Sequence, residues 1–352
     1  MRFFSLEDSS SEAAASRPST AANCATGRTA AALLLILPFV IGCAGSLRED
    51  DVAHDVAYDG VNASTLRTAG TPGSDLRVAL ERLTADFRGT VGIYVRRLPD
   101  GPEVAIRADE VFPTASLVKV PILLRLLERV DAKEVSWTDH IAFERSRIYP
   151  GEDLLARFAD GQKVTVPELI FLMLSKSDNT ASLWCQELAG GGVAINDWLD
   201  RKGFPKTRVN SKTPGREADR TAFGWGQTTP REMAGLFLSI RSRTAVSPGA
   251  DMYADRALGR SYWADEALSA IPPDVHVISK QGAVNASRSE VLLVSAPSGP
   301  IVISIITMGQ ADQSWGADNE GFRLLRAVTA AVWRTFEPGR PYPAPIGGPT
   351  WP

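Results

Sequence analysis

The sequence predicts an α+β fold: an antiparallel sheet built from both chain ends, flanked by helices, with an all-helical insertion between them. Three observations carry this. Strand alternation marks the start of the folded part, strands return after about Asp274, and the stretch between them reads as helix.

Taken in order, Leu76, Leu80, Leu83 and Phe87 recur at helical spacing from Ser74 to Phe87, with Ser74 as the expected N-cap. From Thr90 to Arg97, Val91, Ile93 and Val95 alternate with Gly92, Tyr94 and Arg96, the pattern of a half-buried strand. A turn at Pro99-Asp100-Gly101 leads to a second short strand around Glu103 to Arg107. In the middle, Thr165-Val-Pro-Glu168 has the form of a capping box ahead of the apolar run Leu169 to Leu174, and Thr229-Pro-Arg-Glu232 repeats it before Met233 to Ile240. Cys185 falls in the apolar helical pattern Ala181 to Leu188 and is expected to be buried and inert. Three strands follow, Val275 to Val284, Glu290 to Ala296 and Ile301 to Met308, and a closing helix runs from about Asn319 to Phe336.

Composition narrows the function classes. The 352 residues hold 38 Lys+Arg against 41 Asp+Glu, a net charge of −3, which disfavours a nucleic-acid binder. An apolar fraction of 44% with 22% charged residues excludes wholesale disorder and a polytopic membrane protein. Cys24, Cys43 and Cys185, with His54, His140 and His276, offer no zinc-ligand spacing, so neither a metal nor an organic cofactor is expected.

The N-terminus reads as an address. The apolar run Ala30 to Gly42 is shorter than the roughly 20 residues a membrane-spanning helix needs, and fits a signal-peptide core. It ends Val40-Ile41-Gly42-Cys43, which resembles a bacterial lipobox and implies lipidation of Cys43. Glu7, Asp8 and Glu12 are foreign to a signal n-region, so the true start is expected downstream of Met1. The expected divisions are a signal peptide over 1–42, a polar tether over 43–74, a catalytic domain over 75–340 and a tail over 341–352. Such a protein would be exported, anchored by its lipid to the cell envelope, and monomeric.

The sharpest chemical signal is Ser116-Leu-Val-Lys119 at the start of an apolar helix, where a three-residue separation puts hydroxyl and amine on one face. A serine hydroxyl is a weak nucleophile until a base takes its proton, and a desolvated lysine is such a base. Pro121 is expected to kink this helix. Ser177-Asp178-Asn179 and Lys280-Gln281-Gly282 follow in order. These three motifs, with Asp160-Gly-Gln-Lys-Val-Thr-Val-Pro-Glu-Leu and Thr228-Thr-Pro around them, resemble the class A β-lactamase family over roughly residues 75 to 340.

The resemblance implies a β-lactamase/transpeptidase-like fold and a serine hydrolase that opens a β-lactam ring through an acyl-enzyme on Ser116. Lys119 would be the proton acceptor, directly or through a water, Ser177 and Lys280 would relay a proton to the leaving nitrogen and hold positive charge near a substrate carboxylate, and Asn179 would bind the substrate amide. The backbone N–H groups of Ser116 and Ala283 would form the oxyanion hole beside Gly282, and Arg288 would bind substrate carboxylate. Two departures stand out. Gln281 replaces the usual hydroxyl of the third motif, and the loop Arg216-Glu217-Ala-Asp219-Arg220-Thr221 lacks the family's Arg-x-Glu-x-x-x-Asn. Glu217 is the first candidate for the deacylating base and Asp219 the second.

Other readings are weaker. A Ser-His-Asp hydrolase is disfavoured because His54 lies in the tether and no Gly-x-Ser-x-Gly elbow is present; His276 reads as a sheet histidine satisfied by a neighbour. Gly190-Gly191-Gly192 is a helix stop rather than a phosphate loop. Two alternatives stay open: a penicillin-binding D,D-peptidase or esterase-like hydrolase that deacylates slowly, and a non-catalytic peptidoglycan-binding lipoprotein. The substrate would be a small β-lactam or a peptidoglycan-like molecule.

Overall fold

The structure, a computed structural model, describes residues 71–151 and 153–343. The expected signal peptide, Cys43, the expected tether up to residue 70 and the tail beyond residue 343 lie outside the described residues.

Helix α1 (Pro72–Thr84) begins ahead of the predicted cap: Thr71 is the N-cap and Pro72 occupies the first turn, where a missing N–H is harmless. Ser74 Oγ instead donates to Thr71 O at 2.8 Å. Strand β1 (Thr90–Arg97) has the predicted bounds and pairs with β2 (Glu103–Ile106). It is not half-buried as expected but buried on both faces from Val91 to Val95. Phe112 and Pro230 close over its Gly92 side, where an added Cβ would lie 2.6 Å from the Phe112 ring.

The two-residue β3 (Phe112–Pro113) leads into a 3₁₀ turn, Ala115–Val118, and then α2 (Lys119–Asp131). Pro121 is thus in the first turn of α2 rather than its interior, a position where N–H groups lack acceptors within the helix and a proline removes no ladder bond. Strands β4 (His140–Ala142) and β5 (Lys163–Thr165) form a short ribbon. Helix α3 (Val166–Phe171) opens on the predicted capping box, with Thr165 N donating to Glu168 Oε2 at 2.7 Å and Glu168 N to Thr165 Oγ1 at 3.3 Å. A π-helical turn, Leu172–Lys176, precedes α4 (Asn179–Leu188), and Gly190 and Gly191, at φ 97° and 83°, turn the chain into α5 (Gly191–Arg201).

Beyond β6 (Arg208–Val209), α6 (Glu217–Phe223) and β7 (Gly226–Thr228), the predicted Thr229 cap starts α7 (Pro230–Arg241), followed by α8 (Pro248–Leu258). The sheet is completed by β8 (Val277–Val284), β9 (Ser287–Val294) and β10 (Ile301–Met308), and α9 (Glu320–Phe336) is capped by Asn319. Strand β9 starts three residues before its predicted Glu290, because Ser287, Arg288 and Ser289 are polar yet buried. His276 falls outside β8 and binds Asp255 Oδ1 through Nε2 at 3.0 Å, away from the buried face of Lys280.

The five-stranded sheet runs β2-β1-β10-β9-β8, and its pairings are antiparallel, so both chain ends meet at β1 and β10. One face packs on α1 and α9 through Ile93, Leu292, Ile303, Leu325 and Val332. The opposite face covers the helical insertion through Ile278, Val291 and Leu293, against Leu123, Trp184 and Phe237. Strand β8 is the sheet edge, and the turn bearing Ser116 lies against it.

Candidate active site

Ser116 lies in the 3₁₀ turn and Lys119 begins α2. The residue before the serine, Ala115, takes φ 44°, a left-handed conformation that a side chain adopts only under constraint from its surroundings. Thr114 N anchors this turn by donating to Gly226 O at 2.9 Å. Lys119 is fully buried. Its Nζ bonds Ser177 Oγ at 3.1 Å, Asn179 Oδ1 at 3.0 Å and the carbonyl of Ser177. Desolvation lowers its pKa to about 7, against the opposing pull of Asp153 and Asp178.

The π turn ends at Ser177 in the left-handed region, φ 61°, and so delivers the Ser177 hydroxyl toward Lys119. Asp178 does not face the reacting groups. It caps α4, accepting from Ala181 N at 2.8 Å, and ties down the preceding loop by accepting from Leu155 N at 2.9 Å. Asn179 follows as the first residue of α4.

From the sheet edge, Lys280 Nζ bonds Ser177 Oγ at 3.2 Å, Gln281 O at 2.9 Å and Gln281 Oε1. Burial, then the neighbouring Lys119, holds its pKa well below that of a free lysine. Gly282 makes the approach feasible: an added Cβ would lie 2.8 Å from Thr114 O and 2.9 Å from Ser116 N. Ser116, Ser177, Asn179, Gln281 and Ala283 all line one cleft of about 1090 Å³.

Three candidate residues are placed elsewhere. Glu217 begins α6 on the exposed surface, accepts from Gly215 N at 3.2 Å and does not line the cleft; Asp219 is ion-paired with Arg216 at 3.3 Å. The spacing that would put a carboxylate over the serine is absent from this loop. Arg288 is fully buried rather than offered to a substrate. Its guanidinium donates to the carbonyls of Val284, Ser287 and Ser314, and is stacked 4.5 Å from the Trp315 ring centre and 4.6 Å from that of Phe322.

Sequence reading missed the cleft's aromatic rim, Tyr149, Trp225, Trp263 and Trp315, because these residues come from separate loops with no shared spacing. It also missed Glu266 and Glu290. Neither carries a local signal, because their partners come from distant parts of the chain.

A serine and a desolvated amine three residues apart, with a second serine and lysine brought in from the insertion and the sheet edge, are the marks of a serine hydrolase. The family model of the β-lactamase enzyme family matches residues 75–336. A β-lactamase from Streptomyces fradiae is 31% identical over 282 residues, covering 72% of this chain and 87% of the relative. One from Rhodobacter capsulatus is 24% identical over 275 residues, 78% and 94% of the two chains. Among solved structures, a β-lactamase from Sphaerobacter thermophilus superposes with a TM-score of 0.67 at 23% identity over 76% of this chain and 99% of that one. PBP-A does so with a TM-score of 0.67 at 24% identity over 75% and 97%. The chain belongs to the β-lactamase enzyme family.

Proposed function

We propose that this protein opens β-lactam amides through an acyl-enzyme on Ser116. The observation that carries the reading is the Ser177 hydroxyl set between two buried lysine amines, a proton path from the nucleophile's base to the leaving nitrogen. In the proposed step the Ser116 Oγ–C bond forms as neutral Lys119 takes the hydroxyl proton. The N–H groups of Ser116 and Ala283 receive the developing oxyanion. The C–N bond then breaks and the nitrogen takes a proton from Ser177, which is resupplied by a lysine. Hydrolysis of the ester returns Ser116.

The second reading, acylation with slow deacylation as in a penicillin-binding protein, is favoured by one observation: neither Glu217 nor Asp219 lines the cleft. Positioned general-base catalysis is typically worth about 10² to 10⁴ in rate, so hydrolysis would lag by a similar factor. An intact-mass time course of the protein mixed with a simple penicillin, beside Ser116→Ala, separates the two. A Ser116-dependent adduct that clears as drug is hydrolysed supports the first; one that persists supports the second. No such adduct overturns both.

Export and lipid anchoring through Cys43 form part of the proposal and rest on the lipobox-like Val40-Ile41-Gly42-Cys43. Incorporation of labelled fatty acid in the wild type and its loss in Cys43→Ala would support it. Equal labelling of the two would overturn it.

A further inference from the structure

We propose that Gln281 sets the substrate class of the cleft. Its side-chain amide stands between Lys280 and the cleft and donates to an oxygen on the leaving-nitrogen half of the substrate, so that a neutral carbonyl serves there as well as a carboxylate. The inference rests on the acyl-enzyme reading and names the substrates that Ser116 meets.

Lys280 is 1% exposed and does not line the cleft, whereas Gln281, the next residue along β8, does. Lys280 Nζ donates to Gln281 O at 2.9 Å and to Gln281 Oε1. The amine thereby orients the amide, with its oxygen toward the lysine and Nε2 away from it. Nε2 has no hydrogen-bond partner among the described residues and is not sealed in the interior, so its N–H groups open on the cleft that the residue lines. A donor in that position is satisfied by an acceptor that enters with the substrate. The bond from Lys280 also polarises the amide and strengthens its N–H donors, so the lysine acts on the substrate at one remove.

Which part of a substrate meets this amide follows from the proton relay. Ser177 Oγ, the proposed donor to the leaving nitrogen, is 3.2 Å from Lys280 Nζ, and Lys280 holds the amide. The amide therefore flanks the leaving-nitrogen half, and in a bicyclic β-lactam the carbon bonded to that nitrogen carries the carboxyl group. The neighbouring arginines are engaged: Arg288 with the carbonyls of Val284, Ser287 and Ser314, and Arg326, which lines the cleft, with those of Asp265 and Ala317. An amide N–H donates to a charged or a neutral oxygen alike, whereas a lysine ammonium in the same place would favour the charged one.

The test uses three ligands: benzylpenicillin, its methyl ester, and the matching penam without the 3-carboxyl group. Equilibrium binding to Ser116→Ala protein is read by tryptophan fluorescence, since Trp225, Trp263 and Trp315 line the cleft. Acylation of the wild type is read in parallel by intact mass. Acid and ester are expected to bind within about tenfold of each other, and each at least about fivefold more tightly than the penam, the scale of one hydrogen bond. Adding Gln281→Met, which keeps the length and removes the amide, is expected to erase the advantage over the penam. A crystal structure of Ser116→Ala protein with bound benzylpenicillin reads the contact without any change at Gln281, and should place Nε2 within about 3.2 Å of a carboxyl oxygen. A larger preference between acid and ester, an advantage over the penam that is absent or survives Gln281→Met, or a carboxyl group seated on Lys280 or Arg326 in the crystal would overturn the proposal, as would binding of none of the three. Selective binding without acylation of the wild type would instead sink the acyl-enzyme reading and leave recognition by Gln281 standing.

Discussion

Ser177 Oγ lies 3.1 Å from Lys119 Nζ, and the same oxygen is 3.2 Å from Lys280 Nζ. A hydroxyl has one proton to give and two lone pairs to receive, so it bridges two amines productively when at least one of them is neutral. Burial and the proximity of like charges favour that state.

The rate of acylation is therefore expected to depend on pH through Lys119. Its pKa is lowered to about 7, and with the neutral form as the proposed base the rate should fall about tenfold per pH unit below 7 and level off above about 8. Stopped-flow acylation from pH 5 to 9 checks this. Lys119→Arg, which stays protonated throughout, should lose the limb along with most of the activity.

Removing the bridge should slow chemistry while sparing the fold. Ser177→Ala deletes the hydroxyl that connects the two lysines and is expected to lower the acylation rate about 10²-fold or more, within the range of proton-transfer catalysis. A melting temperature close to that of the wild type, measured on the same sample, would assign the loss to proton transfer.

At Gly282 a single methyl group should be enough to disable the site. The Cβ of Gly282→Ala would lie 2.8 Å from Thr114 O and 2.9 Å from Ser116 N, both main-chain atoms, so β8 and the nucleophile's turn must separate. A stability loss of about 1–3 kcal/mol by overpacking, with a larger proportional loss of acylation, is expected from denaturant titration and kinetics together.

Carboxylates outside the cleft should be dispensable. Glu217→Ala and Asp219→Ala alter an exposed helix start and an exposed ion pair, and are expected to leave acylation and acyl-enzyme half-life within about twofold of the wild type. Intact-mass decay curves read this directly, and a tenfold longer half-life in Glu217→Ala would return that residue to the reaction.

The buried Glu290 should shape stability against pH. In the folded protein Glu290 binds its proton more tightly than in the unfolded chain, so its own contribution to stability is full below the ordinary carboxylate range and is lost as pH rises through about 8. Glu290→Gln keeps the shape and removes the titration. Its melting temperature should match the wild type near pH 5 and exceed it near pH 8, by about 2–4 °C for each kcal/mol gained.

Much of this architecture was legible from local patterns. Bounds for β1 and β10 came from alternation and aliphatic runs, and the starts of α3 and α7 from side chains that cap orphan N–H groups. The three motifs were legible because spacing on one turn, such as Ser116 to Lys119, is a property of the chain itself. What the sequence hid depends on distant partners. Arg288 looked free because the carbonyl of Ser314 and the rings of Trp315 and Phe322 that hold it come from elsewhere in the chain. Glu290 was passed over because nothing local reveals that Ala267 N and Gln281 face it. The start of α1 was misplaced because a Pro in the first turn outweighed the better capping side chain two residues on.

The pairing of β1 with β10 has a bearing on how the molecule comes into being. Thr90 finds its partner Met308 only after most of the chain has been made, and Lys280 reaches Ser177 across an interval of 103 residues. Such non-local closure is slow relative to helix formation, because a long loop must be ordered before any contact rewards it. The helical insertion is thus expected to collapse first while β1 waits with an open edge. A nascent chain in that condition holds its nucleophile but not its third motif, so hydrolytic competence arrives with the last strands rather than growing in steps. A chain that travels before it closes its sheet carries no working centre on the way.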